Sequence, residues 1–97
     1  MSGFTKNVVQ RVTTVYVGNV SASLVRVGEL FRDAVRLDAA GIVLVHNHPS
    51  GDPEPSEEDL SITRRLLEVG ELVGIGVLDH VIVAARGTVS FRARQLL

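Results

Sequence analysis

Residues 41–59 read Gly41-Ile42-Val43-Leu44-Val45-His46-Asn47-His48-Pro49-Ser50-Gly51-Asp52-Pro53-Glu54-Pro55-Ser56-Glu57-Glu58-Asp59. The apolar run Gly41–Val45 is a short uncharged block of the kind that forms a buried strand. His46 and His48 follow where that strand emerges, and side chains two apart on a strand point to the same side. Pro49, Gly51, Pro53 and Pro55 then forbid regular structure, so the chain turns back as a loop. A helical pattern begins at Ser56, which puts Asp59 in its first turn. Two imidazoles at a strand end and one carboxylate at a helix N-terminus converge naturally on a divalent ion. Three protein donors and one free position is the layout of a catalytic rather than a structural zinc site.

Working outward, residues 8–17 are rich in β-branched side chains and predict one long strand or a bent pair. Gly18-Asn19 is a turn signal, and Ser21-Ala22-Ser23 suggests a short extended lead-in. Val27, Leu30, Phe31, Ala34 and Val35 fall at i, i+3, i+4, i+7 and i+8, the stripe of an amphipathic helix. A second helix is expected from about Glu57 to Val73, with Leu60, Thr63, Leu67, Ile62, Leu66, Val69 and Val73 supplying buried rows. Gly74 ends it, and Gly70 makes an internal break conceivable, since glycine costs about 1 kcal/mol relative to Ala within a helix. Val77–Ala84 reads as another buried strand, and Arg86-Gly87 turns it into a hairpin partner at Thr88–Phe91. Residues 92–97 are expected to form a terminal turn or to lie loosely on the core. The expected fold is therefore α/β, one domain over residues 1–97, with a mixed β-sheet flanked by helices.

Composition narrows the class. Hydrophobic residues make up 45% of the 97 residues, enough for a packed core. No apolar run reaches the length of a membrane span and no signal-peptide pattern is present, so a cytoplasmic domain is expected, without a membrane partner. Zero cysteines exclude disulfides, thiolate ligands and a thiol nucleophile. The net charge of −1 hides an uneven distribution. Asp52, Glu54, Glu57, Glu58 and Asp59 form an acidic rim that attracts cations and repels polyanions. Lys6, Arg11, Arg26, Arg86, Arg92 and Arg94 lie in the two acid-free ends, where a separate basic surface for nucleic acid is conceivable.

Ser56 and Asp59 also fit a helix capping box, a role compatible with a place at the ion. His80, inside an apolar strand beside Asp79, reads as a structural, hydrogen-bonded histidine rather than a ligand. Glu57, Glu58 and the Arg64-Arg65 pair read as solvated helix residues, and Asn47 and Ser50 as loop-shaping ones. A zinc nucleobase deaminase is excluded because His-x-Glu and the paired cysteines are missing.

His46 to Asp59 matches His-x-His-x7-Ser-x2-Asp, and the chain thereby resembles the JAMM (MPN-plus) metalloproteases. His-Asn-His-Pro-Ser-Gly-Asp-Pro, Thr63-Arg64-Arg65-Leu66, Leu78-Asp79-His80-Val81-Ile82-Val83 and Ser90-Phe91-Arg92 extend the likeness to the RadC family in particular, over residues 6–97. The resemblance implies a JAMM-type fold, Zn2+ held by His46, His48 and Asp59, and Ser56 as oxyanion stabiliser. It implies a zinc-dependent hydrolase acting on a peptide or isopeptide substrate. The family's general-base glutamate lies on a strand before the segment that Lys6-Asn7 matches, ahead of Met1, and an N-terminal helical region is likewise expected to be missing. The helix entry reads Val27-Gly28-Glu29 where the family has Pro-Arg-Glu, and Glu29 is not assigned as a substitute base. The alternative is a catalytically impaired zinc-binding interaction module, linked through the family name to DNA repair.

Overall fold

The structure, a computed structural model, describes residues 11–18 and 25–97. Its elements run β1 (Val12–Gly18), α1 (Val27–Arg36), β2 (Gly41–Asn47), α2 (Glu57–Val73), β3 (Gly76–Ala84) and β4 (Gly87–Ser90). The strands form one sheet in the order β1-β2-β3-β4. β1 and β2 are parallel, β2 and β3 are parallel, and β3 and β4 form an antiparallel hairpin. Two strand–helix–strand units followed by a hairpin thus give the mixed α/β sheet that the sequence predicts. Residues 8–10 of the expected first strand, Asn19 and residues 21–23 lie outside the described residues. Among the described residues no helix is long and apolar enough to cross a membrane.

Both helices pack on one face of the sheet. Ile42 and Leu44 of β2 are buried with Val27, Leu30, Phe31 and Ala34 of α1 and Ile62 and Leu66 of α2 in a single cluster. Alternation along β2 carries His46, two residues beyond Leu44, onto that covered face, and it is buried there. Two expected core residues lie elsewhere. Val35 and Val73 are 58% and 47% exposed. Both flank the outer seam between α1 and α2, one position past the rows that reach the sheet, so the buried stripe of α1 ends at Ala34.

The β2–β3 pairing contains a one-residue register shift that governs the site. Ile42 pairs with Val77, but Val43 pairs with Asp79, leaving Leu78 as the extra residue. Without the shift, strict alternation from Val77 would turn His80 to the uncovered face. With it, His80 pairs with Leu44 and becomes fully buried beneath the helices. The irregularity is held by Asp79, whose Oδ1 accepts from His80 N at 2.8 Å and Arg92 N at 3.0 Å. Its Oδ2 accepts from Ser90 Oγ at 2.6 Å.

α2 passes through Gly70 without a break. The Ile75 N–H donates to the Gly70 carbonyl at 2.9 Å, folding the chain after the helix back against it. A Cβ at residue 70 would collide with the Ile75 carbonyl oxygen. Gly74 closes the helix in the left-handed region at φ 77°. Gly70→Ala should therefore destabilise the domain, by about 1–3 kcal/mol, despite alanine's better helix propensity. Denaturant unfolding of the two proteins checks this; a stabilised variant would show that the close approach is not a constraint.

Candidate metal centre

β2, the loop after it and the start of α2 bring His46, His48 and Asp59 together. The loop is built locally before it is anchored. Gly51 adopts φ 91° and donates to the His48 carbonyl at 3.2 Å. Ser50 Oγ accepts from Asp52 N and Asp52 Oδ1 accepts from Glu54 N, so both side chains shape turns. The Gly51 carbonyl then accepts from the Arg86 N–H at 3.0 Å, which ties the loop to the β3–β4 turn. His48 N donates to Val83 O at 2.9 Å and so continues the sheet one residue past β2.

Asp59 is fully buried at position N3 of α2. The expected capping box is complete. Asp59 N donates to Ser56 Oγ at 3.1 Å, and Ser56 N donates to Asp59 Oδ2 at 2.8 Å. The Ser56 hydroxyl donates to the same Oδ2 at 2.8 Å. His46 Nδ1 lies 3.1 Å from Oδ1, and His48 Nε2 lies 3.0 Å from Oδ2. Burial opposes the charged carboxylate. The bonds from His46, Ser56 N–H and Ser56 Oγ–H, with the charge of His48, outweigh that opposition and hold Asp59 well below the usual carboxylate range.

The proton inventory of His48 tests whether this cluster suits a cation. Its Nδ1 lies 3.0 Å from the Asp52 carbonyl oxygen, which can only accept, so Nδ1 carries the proton. In a neutral imidazole Nε2 then presents a lone pair to the Asp59 carboxylate. Two electron-rich atoms at 3.0 Å need a positive charge between them, either a second proton on His48 or a metal ion. Donors bonded to zinc at roughly 2.0–2.1 Å in a tetrahedron lie about 3.3 Å apart, a few tenths more than these contacts. The residues fit a divalent cation, and the backbone acceptor on His48 is the usual device for fixing a ligating tautomer.

His80 also belongs to this cluster, although the sequence reads as placing it apart. His46, Asp59 and His80 each offer a donor atom, and these atoms all lie within 4.8 Å of one another. The His80 ring is sandwiched by Phe91 at 4.3 Å and His46 at 6.1 Å between centroids. Burial pushes its pKa down from 6.5 to about 4, against the attraction of Asp59. It is hydrogen-bonded, as expected, through Thr63. The signal for its position is the register shift at Leu78, which alternation of side chains alone does not reveal.

A mixed sheet presenting a strand-end His-x-His to a helix-borne carboxylate defines a JAB-type (MPN) domain with a site able to hold a metal. The family of RadC-like JAB domains matches residues 4–96, and the chain belongs to it. A UPF0758 protein of Roseiflexus castenholzii is 54% identical over 92 residues, covering 95% of this chain and 40% of the relative. The UPF0758 protein of Chloroflexus aurantiacus is 53% identical with the same coverage, and that of Halalkalibacterium halodurans 49% over 90 residues. The chain thus spans about two fifths of the length of these curated relatives.

The buried groups make the metal-free protein acid-sensitive. Between pH 6.5 and about 4 the unfolded chain protonates His80 while the native one excludes the proton, so stability falls as pH is lowered across that window. The full loss from His80 is roughly 3 kcal/mol. Asp59 acts in the same direction: its depressed pKa stabilises the fold above the ordinary carboxylate range, and that contribution is lost on further acidification. Denaturant midpoints of chelator-treated protein from pH 7 to pH 4 should decline steadily. A flat profile would contradict the burial of His80.

Proposed function

We propose that this domain is a zinc-dependent hydrolase of the JAMM metalloprotease/isopeptidase type, with His46, His48 and Asp59 as the metal-binding residues and a peptide or isopeptide bond as substrate. The observation that carries the reading is the His48–Asp59 contact, where a tautomer fixed by Asp52 leaves a lone pair facing a buried carboxylate. A bound zinc ion would supply Lewis acidity toward a carbonyl and an acidified water. The choice of zinc follows from two imidazoles and one carboxylate, a donor set that suits it. The chain's own residues do the rest. His46 and Asp59 are held rigid by burial, and His48 is oriented by the Asp52 carbonyl.

Ser56 has two roles in this reading. Its hydroxyl proton goes to Asp59 Oδ2, which also accepts from Ser56 N and faces His48 Nε2. Oδ2 is therefore crowded, and sharing it with a cation weakens its hold on the hydroxyl. Ser56 is exposed at the rim, so the released O–H can turn to a substrate oxygen. A donor so placed is worth roughly 100- to 1,000-fold in turnover. The JAMM resemblance also implies a proton-relaying glutamate, and no residue of this chain is assigned that role.

Protein prepared without chelators should carry about one zinc per chain by elemental analysis, and His48→Ala should lose it. Zinc-free wild type, or unchanged zinc in His48→Ala, would overturn the metal assignment. On a panel of peptide and isopeptide substrates, an N-terminally extended form should turn over at least about tenfold faster than this chain, because positioned acid–base groups contribute 100- to 10,000-fold. No metal-dependent turnover by either form would reduce the site to a metal-binding module.

Ser56→Ala should separate capping from catalysis. Loss of the cap lowers stability by about 0.5–2 kcal/mol. Turnover should fall roughly 100-fold or more at unchanged zinc content. A variant with wild-type turnover would remove Ser56 from the reaction.

A further inference from the structure

The outer seam between α1 and α2 is apolar where the helices turn away from the sheet. Phe31 and Val35 of α1 and Val69 and Val73 of α2 line a groove there, with Arg32 and Arg36 on its α1 side. Val35 is 58% exposed and Val73 47%. Leu72, beside Val73, is 85% exposed and shares a second hollow on α2 with Glu68 and Glu71. Exposed apolar residues scattered singly are ordinary. A set of them gathered along one seam and framed by charge has the character of a contact surface. The framing charges differ between the two helices. On the α1 side, Arg36 is engaged by Asp33 at 3.4 Å, but Arg32 forms no ion pair among the described residues. The second half of α2, from Leu66 to Val73, carries Glu68 and Glu71 and no base. Neither glutamate forms an ion pair among the described residues. Glu71 lies in the last turn, at the negative end of the helix dipole, where a cation is favoured and an anion is not. A groove with a basic rim on one helix and an acidic rim on the other is complementary to itself.

We propose that this seam is a homodimer interface, in which α1 of each copy packs against α2 of the other about a twofold axis. Such a contact is made twice, once on each side of the axis, and closes without leaving a free patch for a third copy. Val35, Leu72 and Val73 of the two copies form its apolar centre. Arg32 and Arg36 of one copy meet Glu68 and Glu71 of the other at the rim. The apolar centre supplies the attraction, and the rim charges, each worth little alone, set the orientation. The interface is independent of the hydrolytic reading of the metal-binding residues. Val73 lies about 21 Å along α2 from Asp59, at about 1.5 Å of rise per residue. The contact is therefore at the opposite end of the helix from Asp59, and two copies joined there keep two separate sites.

Sedimentation equilibrium of the wild-type chain should show a reversible monomer–dimer equilibrium with no larger species. Leu72→Asn, at an exposed position, should weaken it at least roughly tenfold, the effect of losing one well-buried leucine side chain. A monomer at every concentration overturns the proposal. So does a dimer that Leu72→Asn leaves unchanged, because its contact then lies elsewhere, as on the edge of β1. The orientation is tested by charge reversal at four exposed positions. Arg32→Glu with Arg36→Glu makes both rims acidic, and Glu68→Arg with Glu71→Arg makes both basic. Each double variant alone should be monomeric, because like charges then face each other across the axis. An equimolar mixture of the two should form a heterodimer by native mass spectrometry, because every rim again meets its opposite. Dimers persisting in either variant alone, or no heterodimer in the mixture, would overturn the pairing of α1 with α2 of the other copy.

Discussion

The site depends on one buried charge. Asp59 is fully buried and ionised, an arrangement that is strongly unfavourable unless every lone pair is answered. The fold answers it from three directions. The N-terminus of α2 contributes its dipole, Ser56 contributes a backbone N–H and a hydroxyl, and the end of β2 contributes two imidazoles. Removing any one would leave the others paired with an uncompensated acceptor. The acidic loop between β2 and α2 must therefore have a defined length and path, and its bonds to Arg86 and to the β3–β4 turn give it one.

That requirement explains which parts of the site can be read from the chain alone. His46, His48, Ser56 and Asp59 sit at element ends, where strand period, Pro/Gly loop and capping pattern each fix a residue's placement independently. Their convergence is then a matter of connectivity. α2 was legible to its boundaries because a capping box and a C′ glycine mark both ends. His80 was not, because its orientation depends on a register shift at Leu78, and a shift of one residue reverses every later side chain. Gly70 was misleading for a related reason. Its purpose is a contact with the Ile75 carbonyl, five residues on, which no helix propensity contains. Val35 and Val73 continue the apolar rows of their helices but flank the outer seam between α1 and α2, and periodicity does not say which edge of a stripe meets the sheet.

The charge pattern behaves differently in three dimensions from its distribution along the chain. Arg94 bonds Glu54 at 2.8 Å, so the basic C-terminal end meets the acidic loop. Arg92 donates to the Leu78 carbonyl, Arg86 to Gly51 and Arg11 to Leu37. Exposed contacts of this kind contribute little stability individually. Their effect is positional: Arg86 and Arg94 fasten the acidic loop to the β3–β4 turn and to the C-terminal turn, Arg92 ties that turn to β3, and Arg11 joins the start of β1 to the end of α1. An arginine engaged in that way offers only part of its donor fork to a polyanion. Of the acidic loop, Glu54 is paired with Arg94, so the negative charge along the chain is partly compensated in the fold.

Helix formation and cation binding are linked through the same atoms. Ser56 and Asp59 complete a cap that does not require a metal, so α2 is expected to be formed before a cation arrives, unlike a zinc finger that folds only around its ion. A preformed site has the disadvantage that its donors already have partners: Oδ2 is bonded by Ser56 and His48 is held by Asp52. Binding is then an exchange rather than a capture. A cation bound there would have to displace the Ser56 hydroxyl from Oδ2, and Ser56 lies at the exposed side of the cluster. On the buried side, Thr63 Oγ1 lies 2.8 Å from His80 Nδ1 and Phe91 stacks on the ring. The cluster is thus asymmetric, with the exposed Ser56 on the loop side and the fully buried ring of His80 beneath the helices.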